Sequence, residues 1–208
     1  MKIGVSLAGI SYTTSGKQRD FRKTYANFFE TIYEPLLTNN SVSVYTTTYQ
    51  HELNKEFLAA YKPKKYQFIP FEGSHPRSTF MHGLCLVEEE DLDFLICTRF
   101  DIKFNQKITD MNVDYTKFNF FFKEKGMWES HKFVTDTFFA FPFKNLYCFA
   151  NSIQEMNNSG MYHPHTFMHH VYNYVEERIG SHEINFICGD EEALSNKNRF
   201  FDLVRPEI

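Results

Sequence analysis

The sequence has few of the features that mark disulfide-bonded, secreted or membrane-spanning proteins. Its 208 residues include only 4 Cys, which stand singly and without CxxC spacing at positions 85, 97, 148 and 188. Single cysteines in apolar surroundings predict reduced, buried thiols in a cytosolic protein. The apolar runs fall short of the roughly 20 residues that a membrane helix needs, and the first residues are more typical of a short strand than of a signal peptide. We therefore expect a soluble, cytoplasmic protein without a membrane span.

Neither sign of charge is in clear excess. The chain has 22 Lys and Arg against 26 Asp and Glu, which gives a formal net charge of −4. A general nucleic-acid binder usually carries a basic excess, and a disordered solvating chain a strong acidic one. The composition disfavours both classes, and we expect no nucleic-acid partner.

Aromatic residues, in contrast, are abundant. The chain has 24 Phe and 12 Tyr but 1 Trp, and aromatic residues make up 18% of it. So much aromatic area must be buried or used for binding, which predicts a folded protein. Periodicity assigns many of the Phe residues to the core. We expect Tyr12, Tyr49 and Trp128, near predicted strand ends and loops, to be free to stack on a base or a sugar.

Segments typical of strands and helices alternate along the chain. In the first half, strands are predicted at 3–8, 42–49, 65–71 and 93–101, and helices at 21–36, 51–61 and 78–90. In the second half, strands are predicted at 119–123, 133–141 and 184–188, and helices at 144–157 and 165–179. This order predicts a single α/β domain over residues 1–208, with a mixed, mostly parallel central sheet flanked by helices. The strand at 93–101 has an apolar middle and is expected to be covered on both faces.

Ligands of open α/β sheets bind beyond the carboxyl ends of the strands. The loop after the first strand carries hydroxyls and cations, but its glycines fit neither GxxxxGK[ST] nor GxGxxG. This disfavours a P-loop kinase and a NAD enzyme with the usual fingerprint. The loop is suited instead to a phosphorylated ligand that is held without a glycine-rich motif.

The sharpest motif is Thr98-Arg-Phe-Asp-Ile-Lys-Phe104, at the end of the most apolar strand. Alternation along a strand places Arg99, Asp101 and Lys103 on one face and the apolar residues on the other. Charges at the end of a buried strand indicate a ligand or a partner. Alternatively, Arg99 and Asp101 pair with neighbours at the rim of the sheet, and the spacing alone does not separate these interpretations.

The strand that ends in Arg-Phe-Asp-Ile, downstream of an N-terminal strand, loop, Arg and helix, resembles nucleotide-sugar-dependent glycosyltransferases of the GT-A fold. In pattern it is similar to small enzymes of large DNA viruses and algae with an RxD variant of the DxD motif, such as the N-terminal glycosyltransferase domain that builds chlorovirus capsid glycans. The resemblance implies a donor-binding half at 1–104 and an acceptor-side half at 105–208. It also implies a viral protein in the host cytoplasm.

The resemblance further implies the roles of individual residues. Asp101 would hold Mn²⁺ or Mg²⁺ against the donor diphosphate, since such ions take oxygen ligands. Arg99 stands where the DxD motif has its first Asp, so it would contact phosphate directly and leave the metal with fewer protein ligands. The other donor contacts implied are Ala8, Gly9, Tyr12, Arg19, Thr48 and Arg77.

An inverting transferase also needs a general base near the acceptor hydroxyl. Asp136, a carboxylate between apolar strand residues, is the first choice, and Asp190 is the second. The cluster around Asp190 also fits an ordinary helix N-terminal charge pattern.

The expected activity is transfer of a hexose or 6-deoxyhexose from a nucleoside-diphosphate sugar, with UDP as the first choice, to a hydroxyl of a glycan or glycoprotein acceptor. The alternatives are a non-catalytic binding or assembly module and another nucleotide-dependent transferase.

Overall fold

The longer strands and helices of the protein follow the order expected from its sequence, and several short strands and one short helix are added between them. The structure is a computed structural model that describes residues 1–14, 19–70, 76–158, 164–189, 191–192 and 199–204. The strands are β1 (Lys2–Ala8), β2 (Tyr12–Thr13), β3 (Arg19–Asp20), β4 (Ser41–Tyr49), β5 (Lys65–Ile69), β6 (Phe94–Arg99), β7 (Ile102–Phe104), β8 (Phe118–Phe120), β9 (Lys123–Glu124), β10 (Phe138–Pro142), β11 (Ile184–Phe186), β12 (Glu191–Glu192) and β13 (Phe201–Leu203). The helices are α1 (Tyr25–Phe28), α2 (Glu34–Leu37), α3 (Asn54–Tyr61), α4 (Pro76–Val87), α5 (Trp128–His131), α6 (Leu146–Asn158) and α7 (Pro164–Ile179).

A seven-stranded sheet in the order β11-β8-β10-β6-β1-β4-β5 forms the centre of the molecule. Strand β1 runs parallel to both β4 and β6, and β5 runs parallel to β4. Strand β10 runs antiparallel to β6 and β8, whereas β11 runs parallel to β8. The predicted α/β fold with a mixed, mostly parallel sheet is thereby confirmed.

Helices cover the sheet on both faces. Along β6, Phe94 and Ile96 pack in one hydrophobic cluster with residues of α1, α2 and α3, while Leu95 and Cys97 pack in a second with residues of α4, α6 and α7. All four side chains are fully buried. This confirms the prediction of a strand covered on both faces. Among the described residues, no helix combines the length and the apolar character that crossing a bilayer requires.

The predicted helix at 21–36 is divided into several types of turn. Asp20 caps its start as expected, because its carboxylate accepts a hydrogen bond from the Arg22 N–H at 3.0 Å. A 3-10 turn (Phe21–Lys23) and α1 follow, and then a π-helical turn (Phe29–Tyr33) leads into α2. Pro35 has no N–H to donate to the carbonyl of Thr31, which favours a wider turn just before it.

Two further predictions are corrected by the structure. The predicted strand at 133–141 joins the sheet only at β10, because residues 133–137 turn away and Val134 forms a bridge with Lys123. The four thiols are free, but their burial is uneven. Cys97 and Cys188 are buried as predicted, Cys148 is half-buried, and Cys85 is exposed because it lies on the outer side of α4.

The Glu90 carboxylate, near the amino edge of the sheet, makes the stability of the fold depend on pH. Glu90, 9% exposed, accepts a hydrogen bond from the Tyr45 hydroxyl at 2.9 Å and forms ion pairs with Lys64 and Lys65. The two lysines lower the pKa of Glu90 to about 2. Since this pKa lies below its unfolded value, the stabilisation is complete above about pH 4.5 and is lost as the pH falls towards about 2. We expect Glu90→Gln to flatten the decrease in thermal stability across this range, and an unchanged slope would contradict this assignment.

Candidate functional site

The carboxyl ends of the parallel strands meet beside a glycine. Ala8 at the end of β1 is paired in register with Thr47 of β4 and Arg99 of β6. The chain passes from β1 outward through β4 and β5 and then returns to β6 on the other side of β1. The crevice between β1 and β6 is therefore the topological switch point, where open α/β sheets bind ligands.

Gly9 leaves this crevice open at the backbone. Its φ of +116° is one that other residues rarely adopt, and a Cβ added to it would meet no described atom within 4 Å. The Gly9 N–H donates a hydrogen bond to the Thr47 carbonyl at 3.3 Å, and this bond holds the turn against β4. A ligand can therefore approach the main chain closely here.

Four charged side chains meet at the same crevice, and we call Arg19, Arg99, Asp101 and Asp136 the charged quartet. Arg99 donates from Nε and Nη2 to the two carboxylate oxygens of Asp101, at 2.9 and 2.8 Å. Its Nη1 lies 3.1 Å from both carboxylate oxygens of Asp136. Arg19 reaches Asp101 from the other side, with Nε at 2.9 Å from Oδ2. Two cations and two anions thus neutralise one another.

The charged quartet is largely shielded from water. The side chains of Arg19 and Asp101 are 9% and 5% exposed, and those of Arg99 and Asp136 are 15% and 20% exposed. Burial alone would lower the pKa of the Arg99 guanidinium, but Asp101 and Asp136 outweigh burial and raise that pKa above its usual value. Arg99 therefore stays protonated throughout the physiological range.

The strand arrangement explains why distant residues meet here. Because β10 runs antiparallel to β6, it begins where β6 ends, and Phe138 pairs in register with Thr98. The Thr98 hydroxyl donates to the Thr137 carbonyl at 2.9 Å, which brings Asp136 beside Arg99. After β6 the chain turns, and the hydroxyl of Thr24 holds the Phe100 carbonyl at 2.6 Å. This contact directs Asp101 back towards Arg99.

A hydrogen-bonded group of polar residues lies at the end of β4. The Thr48 hydroxyl accepts the Ser11 N–H at 3.1 Å and donates to the Ser11 hydroxyl at 2.8 Å. His51 Nε2 lies 2.9 Å from the same Ser11 hydroxyl, while His51 Nδ1 accepts the Leu53 N–H at 3.2 Å. Burial lowers the pKa of His51, which favours the neutral ring, and because Nδ1 accepts the Leu53 N–H, the hydrogen of that neutral ring lies on Nε2. Nε2 therefore donates to Ser11 and does not activate it as a nucleophile.

The structure brings together most of the residues predicted for the site. Arg19, Arg99, Asp101 and Asp136 form the charged quartet, and Ala8 and Gly9 line the adjoining crevice. The hydroxyl of Thr48 is used within the protein. Arg77 is the second residue of α4, whereas Asp190 lies outside the described residues.

Only one of the three aromatic residues expected to be free is exposed enough to meet a ligand. Tyr12 is half-buried, with its ring centroid 5.4 Å from that of His51. Tyr49 and Trp128 are 5% and 7% exposed. The Trp128 ring packs on Tyr172 at 4.9 Å in the second core cluster. The expectation that Tyr49 and Trp128 offer free faces is therefore wrong.

Ser11 and His51 were not singled out from the sequence. Both flank segments that end at the carboxyl edge, but neither belongs to a recognisable motif. Ser11 and His51 could have been predicted only from their place in the sequence, because each follows a parallel strand closely.

The described residues do not fit the divalent metal that the resemblance implies. The Asp101 carboxylate already accepts three N–H contacts from two guanidinium groups. A metal at this carboxylate would lie close to both positive charges, which repel it. No group of three or more His, Cys, Asp or Glu suited to a metal occurs within the described parts of the chain.

Comparisons with known proteins do not assign a function to the chain. No protein-family model matches the chain, and no significant match is found among curated proteins. Fold and site chemistry are therefore the basis for a functional proposal.

Proposed function

We propose that the protein is a glycosyltransferase that takes a sugar from a nucleoside diphosphate, with UDP as the first choice, and transfers it to a hydroxyl of a glycan or glycoprotein. The observation that carries this proposal is the charged quartet at the topological switch point, beside the open backbone of Gly9. Guanidinium groups suit phosphate oxygens because their N–H donors form a planar fork. A crevice between parallel strands suits a nucleotide.

The residues of the site would contact different parts of the donor. Ala8 and Gly9 let the nucleotide approach the main chain, and Tyr12 offers a ring for the base. Arg19 and Arg99 would bind the diphosphate and stabilise it as it leaves. The resemblance implies these roles, and position and donor chemistry at the crevice support them.

Asp136 is the first choice for the general base of an inverting reaction. Its carboxylate would take the proton of the acceptor hydroxyl as that oxygen forms a bond to the anomeric carbon and the nucleoside diphosphate leaves. Both oxygens of Asp136 contact Arg99 as their partner, at 3.1 Å, and are therefore not free to take a proton. Movement of Arg99 towards the diphosphate would remove that partner and prepare Asp136 for the acceptor.

A non-catalytic α/β binding module is the second candidate. The observation in its favour is that the charged quartet is neutral as a whole, as ion pairs at the rim of a sheet are. Such a module would show no sugar transfer, so detection of transfer would exclude it.

Nucleotide-sugar binding is the first experiment. The protein is screened by thermal shift with UDP-, GDP- and dTDP-sugars, each with and without Mn²⁺, and release of the nucleoside diphosphate is followed in parallel. A matching donor at ~100 times its Kd adds about 2.7 kcal/mol, which should raise Tm by about 5 °C or more.

Substitutions in the charged quartet test whether the donor reacts at this site. We expect Asp101→Asn and Asp136→Asn to lose release of the nucleoside diphosphate, whereas Arg178→Gln, at an exposed position of α7, should retain it. If no nucleotide sugar shifts the melting curve under any condition, the proposal fails.

A further inference from the structure

We propose that Arg19 and Arg99 neutralise the donor diphosphate in place of a divalent cation, so that nucleotide binding needs no metal. This inference rests on the proposed function and names the chemistry of its ligand site. Mn²⁺ or Mg²⁺, which the RxD resemblance implies, would then be dispensable.

Asp101 is already engaged by two guanidinium groups. Its oxygens accept Nε and Nη2 of Arg99 at 2.9 and 2.8 Å and Nε of Arg19 at 2.9 Å. The side chain is 5% exposed. A metal could take this carboxylate only by separating it from two buried guanidinium groups, which is costly in a poorly solvated place. Asp101 is thus a positioning residue that orients the two arginines.

Arg19 and Arg99 also supply the positive charge that a diphosphate needs. Two guanidinium groups carry the same charge as one divalent ion, and once a ligand displaces Asp136, the Asp101 carboxylate is the one member of the charged quartet that still offsets them. A guanidinium has five N–H donors, and the described contacts of Arg99 number four. At least one of its N–H groups is thus left for a ligand oxygen.

One of the two carboxylate partners of Arg99 can be exchanged for a ligand. Asp136 is the most exposed member of the charged quartet, at 20%, and Arg99 holds it by the longer contacts of 3.1 Å. A phosphate oxygen could replace Asp136 on Nη1 while Asp101 keeps its own hydrogen bonds. Arg99 would keep an anionic partner after the exchange, and the carboxylate released, Asp136, is the most exposed of the four.

Isothermal titration with UDP and with inorganic pyrophosphate tests the inference. Each ligand is titrated into the full chain in EDTA and again in MnCl₂. We expect the wild-type Kd to differ by less than about threefold between the two, a difference of about 0.65 kcal/mol. Mn²⁺ electron paramagnetic resonance should detect no tight ion on the protein with UDP present, and this readout does not depend on any variant folding.

Variants at the two arginines supply the second arm. Arg19→Gln should weaken UDP binding about tenfold or more in both buffers, since a charge-assisted contact is lost. Arg19→Lys should recover part of that loss, and Arg178→Gln should match the wild type. Circular dichroism shows whether each variant is folded.

The outcomes separate the two proposals. A wild-type Kd that tightens more than about tenfold in Mn²⁺, with the gain lost in Asp101→Asn, overturns metal-free binding and leaves the transferase proposal standing. Absence of binding by UDP and by nucleotide sugars in both buffers overturns both.

Discussion

Replacing Arg99 with Leu is expected to lower the free energy of unfolding by about 3–5 kcal/mol, because two shielded carboxylates lose their shared partner. Arg99 makes all the described contacts of the Asp136 carboxylate and two of those to Asp101. Leucine would leave Asp136 without its cation, while Asp101 would retain Arg19. Urea denaturation followed by circular dichroism measures the loss.

Two comparisons make the Arg99 result specific. Asp136→Asn added to Arg99→Leu should recover part of the stability, because the uncompensated charge is then removed. Arg22→Leu breaks a more exposed pair with Asp20 and should lower the free energy of unfolding much less. A loss for Arg99→Leu as small as that for Arg22→Leu would show that the charged quartet does not stabilise the fold.

Asn119→Leu is expected to lower the free energy of unfolding by about 3–5 kcal/mol, because the buried Ala140 carbonyl and several part-buried polar groups lose their partner at about 1–3 kcal/mol each. Asn119 is fully buried in β8. Its amide nitrogen lies 2.8 to 3.0 Å from the carbonyls of Asp114, Lys117 and Ala140. Its oxygen accepts the Asp114 N–H and the Asn185 amide, each at 2.8 Å.

A second asparagine provides the control for Asn119. Asn40 is half-buried: its amide nitrogen donates to the Leu36 carbonyl at 2.9 Å, and its oxygen accepts an exposed hydrogen bond from the Met1 ammonium at 3.2 Å. Asn40→Leu should therefore cost only about 1 kcal/mol. Equal losses for the two variants in the same urea titration would contradict the assigned role of Asn119 in joining β8, β10 and β11.

Local pattern was sufficient for the main elements of the first half. Strand β6 was predicted from an apolar run flanked by charges, and it lies at the centre of the sheet with both faces covered. The second half was harder, since the segment 133–141 has β-forming residues throughout but only β10 finds a partner in the sheet. Propensity indicates that a segment can form a strand, while its partner depends on the rest of the fold.

The sequence predicted which residues form the charged quartet, but it did not predict which ion pairs these residues make. Arg99 and Asp101 stand out from the motif, and the resemblance added Arg19. That Asp136 shares Arg99 with Asp101 follows from the antiparallel direction of β10, which no local pattern contains. The burial of Tyr49 and Trp128 was missed for the same reason, because long-range packing decides which aromatic rings reach the surface.

By itself, the sequence determined the α/β class and the place where charge emerges from a buried strand, because hydrophobic periodicity and motif spacing are local properties. Only the tertiary structure decided the strand order, the switch point beside Gly9 and the engagement of Asp101 by two arginines. These features depend on which segments become neighbours in space. A carboxylate that is a candidate metal ligand in the sequence thus becomes, in the fold, the group that positions two cations.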